Sequence, residues 1–328
     1  MSSARASRLL WVSALLCSAA SIPCFSQLPT VKVEKLLPDP APSASADVMP
    51  SLTISKRVNE VNLIFTVADK RGRFVSSLTS DEVKVLDNHL PPEAVTYFQA
   101  QTDLPLRVAL LVDTSDSITG RFSFEQAAAS TFLQKSLRPQ ADAGMVIGFD
   151  SQIHLYQSIT GNVDLLTQAV HSLKTGGRTV LYDAVRDACD KLRGGSDQPV
   201  RRAIILISDG MDNGSSARLE DAVEAALRAE VAIFALSTNP PSLDDHPGTV
   251  AMKRLTSPTG GRVLAASRNR EIAHAFASIQ EQLHNQYAIG YRPAELKIDG
   301  QYRSIELTTH AKHKYRAFYR KGYYADVR

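Results

Sequence analysis

Apolar strand candidates alternate with amphipathic helices between residues 104 and 284, and this alternation constrains the fold more than any other feature. The strand candidates are 108–112, 145–149, 203–207, 231–236 and 263–266. In the helix candidates 219–227 and 272–283, apolar residues recur at helical spacing, so each helix has one face to bury. Uninterrupted apolar strands between such helices predict a Rossmann-like α/β fold, with helices on both faces of a doubly wound, mostly parallel sheet.

The segments on either side of this region, 51–103 and 285–328, are rich in β-forming residues. Each carries about three short strand candidates separated by turn residues, which is too few for an independent core. We therefore expect the two flanks to pack together as one small β-sandwich, into which the α/β domain 104–284 is inserted.

The first fifty residues predict export. Two arginines precede an apolar stretch at 9–22 that is too short to span a bilayer, and small residues suit cleavage after Ser26. Residues 1–26 are therefore expected to be a signal peptide, with an uncleaved anchor as the alternative, and Pro-rich residues 27–50 a linker. We expect a secreted or periplasmic protein without membrane insertion after cleavage. The net charge of +3 falls by two to +1 without the signal and gives no argument for nucleic-acid binding.

Oxygen-bearing side chains gather at the ends of two strand candidates. An Asp-x-Ser-x-Ser motif places Asp113, Ser115 and Ser117 directly after the first strand candidate, where alternate side chains of an extended turn face the same way. Thr179, in a loop that opens a helix, and Asp209, after another strand candidate, add two oxygen donors. Ligands of parallel sheets bind beyond the carboxyl ends of the strands. Two carboxylates and three hydroxyls favour a hard divalent cation, Mg²⁺ first, with Mn²⁺ or Ca²⁺ as alternatives.

These five residues resemble the metal-ion-dependent adhesion site of von Willebrand factor type A domains, whose pattern is Asp-x-Ser-x-Ser, a distant Thr, and an Asp usually followed by Gly. The resemblance covers residues 104–283. It implies that the five side chains hold a metal ion and that a Glu or Asp of a protein partner completes the coordination. It also implies that the chain ends lie opposite the metal, so the sandwich is expected to be a stalk. The motifs at 286–291 and 320–323 resemble, less specifically, a group of secreted bacterial von Willebrand factor A-related proteins.

The sequence gives little support for a catalytic function. It contains no Gly-x-Ser-x-Gly elbow, no phosphate-binding Gly-Lys-Ser/Thr loop and no His-x-x-x-His pair. Cys189, the single cysteine outside the signal, shares the apolar face of a helix candidate, so we expect a core residue and not a nucleophile. Arg178, directly before Thr179, is expected to be a solvated loop residue, with an added positive field beside the metal as the alternative.

We therefore predict an exported, metal-dependent protein-binding module, active in adhesion or envelope assembly, and not an enzyme. Two alternatives stay open on the sequence alone. One is a metal-dependent hydrolase of phosphate esters, which requires a general base or nucleophile beside the ion. The other is a structural domain whose metal ion only stiffens the loops.

Overall fold

The computed structural model describes most of the chain after residue 59. The described residues are 60–100, 104–115, 122–194, 200–240, 242, 245–295, 297–310 and 314–325. They belong to one compact unit, Lys56–Arg328. The predicted signal peptide 1–26, the predicted linker 27–50 and Ser117 lie outside the described residues.

Strands of the two flanks bracket a region in which strands and helices alternate. The strands are β1 (Val61–Asp69), β2 (Val83–Asp87), β3 (Ala94–Ala100), β4 (Leu106–Asp113), β5 (Ala143–Phe149), β6 (Ile153–Thr160), β7 (Arg201–Ser208), β8 (Val231–Ser237), β9 (Val263–Ala265), β10 (Tyr287–Arg292), β11 (Tyr302–Thr309), β12 (Tyr315–Tyr319) and β13 (Gly322–Tyr324). The helices are α1 (Phe122–Ser136), α2 (Val163–Ser172), α3 (Leu181–Arg193), α4 (Leu219–Arg228), α5 (Pro247–Thr256) and α6 (Asn269–His284). No helix in the described part of the chain is long and apolar enough to cross a bilayer.

The central sheet has the strand order β6-β5-β4-β7-β8-β9. Neighbouring strands are parallel, except that β5 and β6 are antiparallel. β4 lies between β5 and β7, with Asp113 opposite Phe149 and Val112 opposite Ile207. Because β4 and β7 are parallel and in this register, their carboxyl ends meet at one edge of the sheet.

Two hydrophobic cores, one on each face of this sheet, hold the helices in place. Helices α1, α2 and α6 contribute to one core, where the rings of Phe132 and Phe276 lie 5.0 Å apart. Helices α3, α4 and α5 contribute to the other, which includes the fully buried Cys189 that the helical spacing predicts. Each fully buried Leu or Phe side chain stabilises the fold by about 1.5–3 kcal/mol. The doubly wound, mostly parallel α/β fold is thus confirmed.

Strands from both flanks combine in two antiparallel sheets. One has the order β12-β1-β10-β3 and the other the order β13-β11-β2, so N-terminal strands pair with C-terminal strands in each. The sheets share one core, in which the rings of Phe65 and Tyr287 stack 5.2 Å apart. The sandwich of the two flanks is therefore confirmed, while the domain limits 51–103, 104–284 and 285–328 stay predictions.

The sandwich contacts the α/β region at the end where the parallel strands begin. The Arg320 guanidinium pairs with the Glu230 carboxylate at 2.7 Å, and Glu230 directly precedes β8. The Lys321 amide donates to the Pro258 carbonyl oxygen at 2.7 Å, a short distance along the chain before β9. The carboxyl ends of the parallel strands point away from these contacts, as the expected stalk arrangement requires.

Candidate metal site

Asp113 ends β4 and is fully buried. Its Oδ2 accepts a hydrogen bond from the Ser208 hydroxyl at 2.7 Å, and its Oδ1 accepts one from the Ser115 amide at 3.0 Å. Ser208 is the last residue of the adjacent strand β7. The hydrogen bond between Ser208 and Asp113 therefore joins the ends of β7 and β4. Together with the Ser115 amide it fixes the position of the Asp113 carboxylate.

Burial raises the pKa of the Asp113 carboxyl above its ordinary value, and the negative charge of Asp209 raises it further. Hydrogen bonds from Ser208 and Ser115 lower this pKa without offsetting the burial. Among the described residues, the groups that stabilise the charged form are thus hydroxyl and amide donors and not cationic side chains. A desolvated carboxylate beside a second carboxylate is stabilised by a cation, since ionised groups are costly to bury unpaired. The donor chemistry therefore fits a divalent metal ion.

Hydrogen bonds fix the conformation of the loop that carries Asp209, and close backbone contact between Gly210 and Gly248 packs this loop against α5. The Met211 amide donates to Oδ1 of Asp209 at 2.9 Å, and the Gly210 amide donates to the Ser208 hydroxyl at 2.9 Å. Gly210 has a φ of +79°, and a Cβ there would lie 2.2 Å from the carbonyl oxygen of Gly248 in the first turn of α5. A Cβ on Gly248 would equally lie 2.2 Å from the carbonyl oxygen of Asp209. The loop packs against α5 only because both residues lack side chains.

Thr179 lies in a loop that is hydrogen-bonded to both strand-end loops. The Gly176 amide donates to the Thr114 carbonyl oxygen at 2.7 Å, which fixes this loop beside Asp113. The Thr179 amide donates to the Asn213 side chain at 3.0 Å, and the Asn213 amide donates back to the Thr179 carbonyl oxygen at 3.1 Å. These bonds place Thr179, which is itself buried, between the loops that carry the two aspartates.

Two further acids in these loops have structural partners. Asp183 accepts hydrogen bonds from the backbone amides of residues 216–217 at 2.7 and 3.0 Å. Asp212 accepts hydrogen bonds from the amides of Tyr182 and Ser215, each at 3.1 Å. Both carboxylates therefore join the start of α3 to the segment that leads into α4.

The structure brings Asp113, Ser115, Thr179 and Asp209 to the carboxyl edge of the sheet, in three loops joined by hydrogen bonds. Ser117 lies outside the described residues, and the role of all five as metal ligands stays a prediction. Within the parts of the chain that the structure describes, no group of three or more His, Cys, Asp and Glu side chains is placed to hold a metal ion. The candidate site therefore depends on two carboxylates supplemented by hydroxyl oxygens.

Three residues that position this site were not identified from the sequence. Ser208 precedes Asp209 and ends a strand, so its position beside Asp113 follows once the sheet order is known. Asn213 carries only the signal of a polar residue in a turn. Gly248 lies far along the chain, and its contact with the Asp209 loop has no local signature.

Residues 108–212 match the family model of the von Willebrand factor type A domain, and this span includes every predicted ligand position. The chain contains a von Willebrand factor type A domain. The matched span runs from the central strand β4 to the loop after β7, so it covers the part of the fold that builds the candidate site. No curated protein matches the chain.

The fold of this chain is similar to those of several solved structures whose sequences are only distantly related to it. The PilB minor pilin of Streptococcus sanguinis is 12% identical, with a TM-score of 0.45 over 56% of this chain and 62% of the pilin. BatB of Bacteroides thetaiotaomicron is 16% identical, with a TM-score of 0.43 over 53% of this chain and 98% of BatB. Proximal thread matrix protein 1 of the mussel byssus, with a zinc-occupied metal-ion-dependent adhesion site, is 15% identical, with a TM-score of 0.49 over 60% of this chain and 50% of that protein. The match thus spans less than two thirds of the pilin and of the mussel protein.

Proposed function

We propose that the von Willebrand factor type A domain binds a divalent cation and, through it, an acidic residue of a protein partner. The observation that carries this proposal is the buried Asp113 carboxylate, which lies in the field of Asp209 and is held by hydroxyl and amide donors. The proposed ligands are Asp113, Ser115, Ser117, Thr179 and Asp209, and the proposed ion is Mg²⁺, with Mn²⁺ or Ca²⁺ as alternatives. When bound, the cation would leave one coordination position open, and a carboxylate oxygen of the partner would fill it.

The contacts around the site support binding more than hydrolysis. A hydrolase needs a general base or nucleophile beside the ion. Asp183 and Asp212, two further acids in the described part of these loops, each accept two hydrogen bonds from backbone amides. Both carboxylates thus hold the loops together, which favours a structural role over that of a proton acceptor for water.

A metal ion that only stiffens the loops is the other alternative. Hydrogen bonds of the protein join these loops directly: the Ser208 hydroxyl donates to Asp113, and the Thr179 amide donates to the Asn213 side chain. A further cross-link adds little order where hydrogen bonds already connect the same segments. This favours a role for the ion in recognition.

We further propose that the protein acts outside the cytoplasm, as a secreted or periplasmic adhesion or envelope-assembly module. The support is the charged start, the short apolar core and the small residues that precede position 27. Mass spectrometry of the native protein tests this proposal: cleavage after Ser26 is the expected result. Recovery of residues 1–20 in a membrane fraction would show an anchor instead.

The binding proposal is tested by capture from the native envelope fraction on the immobilised full-length chain. We expect a protein that is captured in Mg²⁺, released by EDTA, displaced by excess Glu-containing peptide and lost with Asp113→Ala. Asp190→Ala, at an exposed acid on α3, is the matched control and retains capture. Capture that EDTA does not change would support the structural role of the metal. Turnover of a phosphate ester that Asp113→Ala abolishes would support the hydrolase.

A further inference from the structure

Two cationic side chains and one apolar side chain lie exposed in the loops that carry the candidate ligands. Lys174 and Arg178 belong to the loop that ends at Thr179, and both are exposed. Met211 follows Asp209 by two residues, and 40% of its surface is exposed although it is a large apolar residue. The metal site is thus flanked by positive charge on one side and an apolar side chain on another.

Arg178 is held at the site by bonds on both sides of it along the chain. Two residues before it, the Gly176 amide donates to the Thr114 carbonyl oxygen at 2.7 Å, next to Asp113. One residue after it, Thr179 exchanges two hydrogen bonds with Asn213. The backbone of Arg178 therefore lies between the two loops that carry the aspartates, and its side chain extends from a fixed base.

The acids of the surrounding loops accept hydrogen bonds from backbone amides, and none of these bonds involves Lys174 or Arg178. Asp183 and Asp212 accept backbone amides, as described above, and Asp150 accepts the Gln152 amide at 2.9 Å. No ion pair within the described part of the chain involves Lys174 or Arg178.

The opposite side of the site differs in charge. Asp245 is exposed in the segment before α5, whose first turn packs on the Asp209 loop through Gly248. Asp245 therefore adds a negative charge on the α5 side, whereas Lys174 and Arg178 add positive charge in the loop that ends at Thr179.

We propose that the partner segment carries two acidic residues, one for the metal ion and a second that pairs with Arg178. This inference rests on the proposed function and specifies the partner of that same site. Arg178 offers a planar guanidinium that binds a carboxylate through two parallel hydrogen bonds, and Lys174 adds to the positive field. An apolar side chain beside the acids packs on Met211. A partner with a single acid would bind only the ion. A sequence such as Leu-Glu-Gly-Glu would contact the ion, Arg178 and Met211.

The second acid strengthens binding by about threefold to fivefold, the upper part of the range for an exposed ion pair. The gain falls as salt rises, because exposed charges are screened. Binding through the metal ion is lost with chelator, so the two contributions are separable in one titration series.

The test uses the full-length chain with saturating Mg²⁺ and capped hexapeptides that contain Leu-Glu-Gly-Glu, the same sequence with its second Glu replaced by Gln, or the same sequence with both replaced. NMR titration measures each affinity. We expect the two-acid peptide to bind about threefold to fivefold more tightly than the one-acid peptide. Arg178→Gln abolishes this difference. Arg193→Gln, at an exposed arginine on the opposite end of α3, retains it.

The outcomes separate this inference from the function on which it rests. Equal binding of the one-acid and two-acid peptides, still sensitive to EDTA, overturns the second acid and leaves the metal-dependent function in place. Peptide binding that persists in EDTA, or no binding of any acidic peptide at millimolar concentration, overturns both. Mn²⁺ calorimetry of Arg178→Gln shows the wild-type metal affinity if the residue acts on the partner alone, and a weakened affinity contradicts that role.

Discussion

Gly248 is the residue whose substitution tests how the candidate metal site is supported, because it contacts the Asp209 loop without offering a side chain that could bind a metal ion. A Cβ at position 248 would lie 2.2 Å from the Asp209 carbonyl oxygen and 2.9 Å from the Gly210 carbonyl carbon. Ordinary contact of a Cβ begins at 3.4 Å. Since both neighbours are backbone atoms, neither moves aside by a rotamer change.

The loop and helix must therefore separate by about 1 Å in Gly248→Ala, whereas metal–ligand distances tolerate about 0.2 Å. Asn239, whose side chain donates to the Asp209 carbonyl oxygen at 2.7 Å and to the Thr249 hydroxyl at 3.1 Å, resists this separation. The strain is expected to fall on the Asp209 turn. Supporting residues of metal sites change affinity by about 10- to 100-fold, so we expect at least a tenfold loss of Mn²⁺ affinity.

Calorimetric Mn²⁺ titration of Gly248→Ala measures this loss, with thermal unfolding as a parallel check that the chain is folded. Gly194→Ala is the matched control, because a Cβ there meets nothing closer than the Lys191 carbonyl oxygen at 3.8 Å. A folded Gly248→Ala variant with the wild-type Mn²⁺ affinity would refute the argument that α5 positions the Asp209 loop.

Three further substitutions test other contacts of the fold. Ser208→Ala removes the hydroxyl that donates to the buried Asp113 carboxylate, so urea unfolding should show an unfolding free energy lower by about 1–3 kcal/mol, and wild-type stability would contradict this. Burial raises the pKa of Asp142, but hydrogen bonds from Arg138 and from the Leu106 amide, together with the Arg138 charge, outweigh it and hold that pKa below its ordinary value. The stabilisation is therefore fully present above the unfolded pKa of about 3.9 and lost as pH falls through the lower folded pKa. The urea stabilities of wild type and Asp142→Asn should therefore approach each other as pH falls from about 4 through that lower pKa. Tyr291→Phe removes the donor to Oδ2 of Asp87 at 2.8 Å inside the sandwich and should lower the unfolding free energy by about 1–3 kcal/mol, measured in the same way.

The elements with a strong apolar pattern were predictable from the sequence. Strand β4 is the clearest example, since its apolar run at 108–112 is buried on both faces of a parallel sheet. The pairing of the two flanks followed from the small number of strands in each. In both cases apolar surface must be covered, and only a few arrangements of the strands achieve this.

Elements with mixed patterns were not predicted. Strand β6, Ile153–Thr160, lies at the edge of the sheet, and its side chains alternate between half-buried and exposed in no regular period. Two register irregularities in its pairing with β5 break the two-residue repeat further. Helix α5 begins with Pro247 and Gly248. A Pro-Gly pair is typical of a turn, although proline is also common at the first position of a helix.

The location of the proposed ligands Asp113 and Asp209 at one edge of the sheet was predictable, whereas the residues that support them were not. Asp113 and Asp209 follow apolar strands directly, so the sheet brings them to one edge. Asn213 and Gly248 act through contacts with residues far away along the chain, and these depend on how the loops fold together. A single sequence contains no local signal for such contacts.

Calorimetric titration of the full-length chain with Mg²⁺ and Mn²⁺ tests the central claim most directly. The wild type is expected to bind one divalent ion, weakly in the absence of a partner because the protein offers only two carboxylates. The double variant Asp113→Ala, Asp209→Ala is expected to lose this site while it stays folded by thermal unfolding. A wild-type chain that binds no divalent ion, or a site that is unchanged in the double variant, would contradict the account.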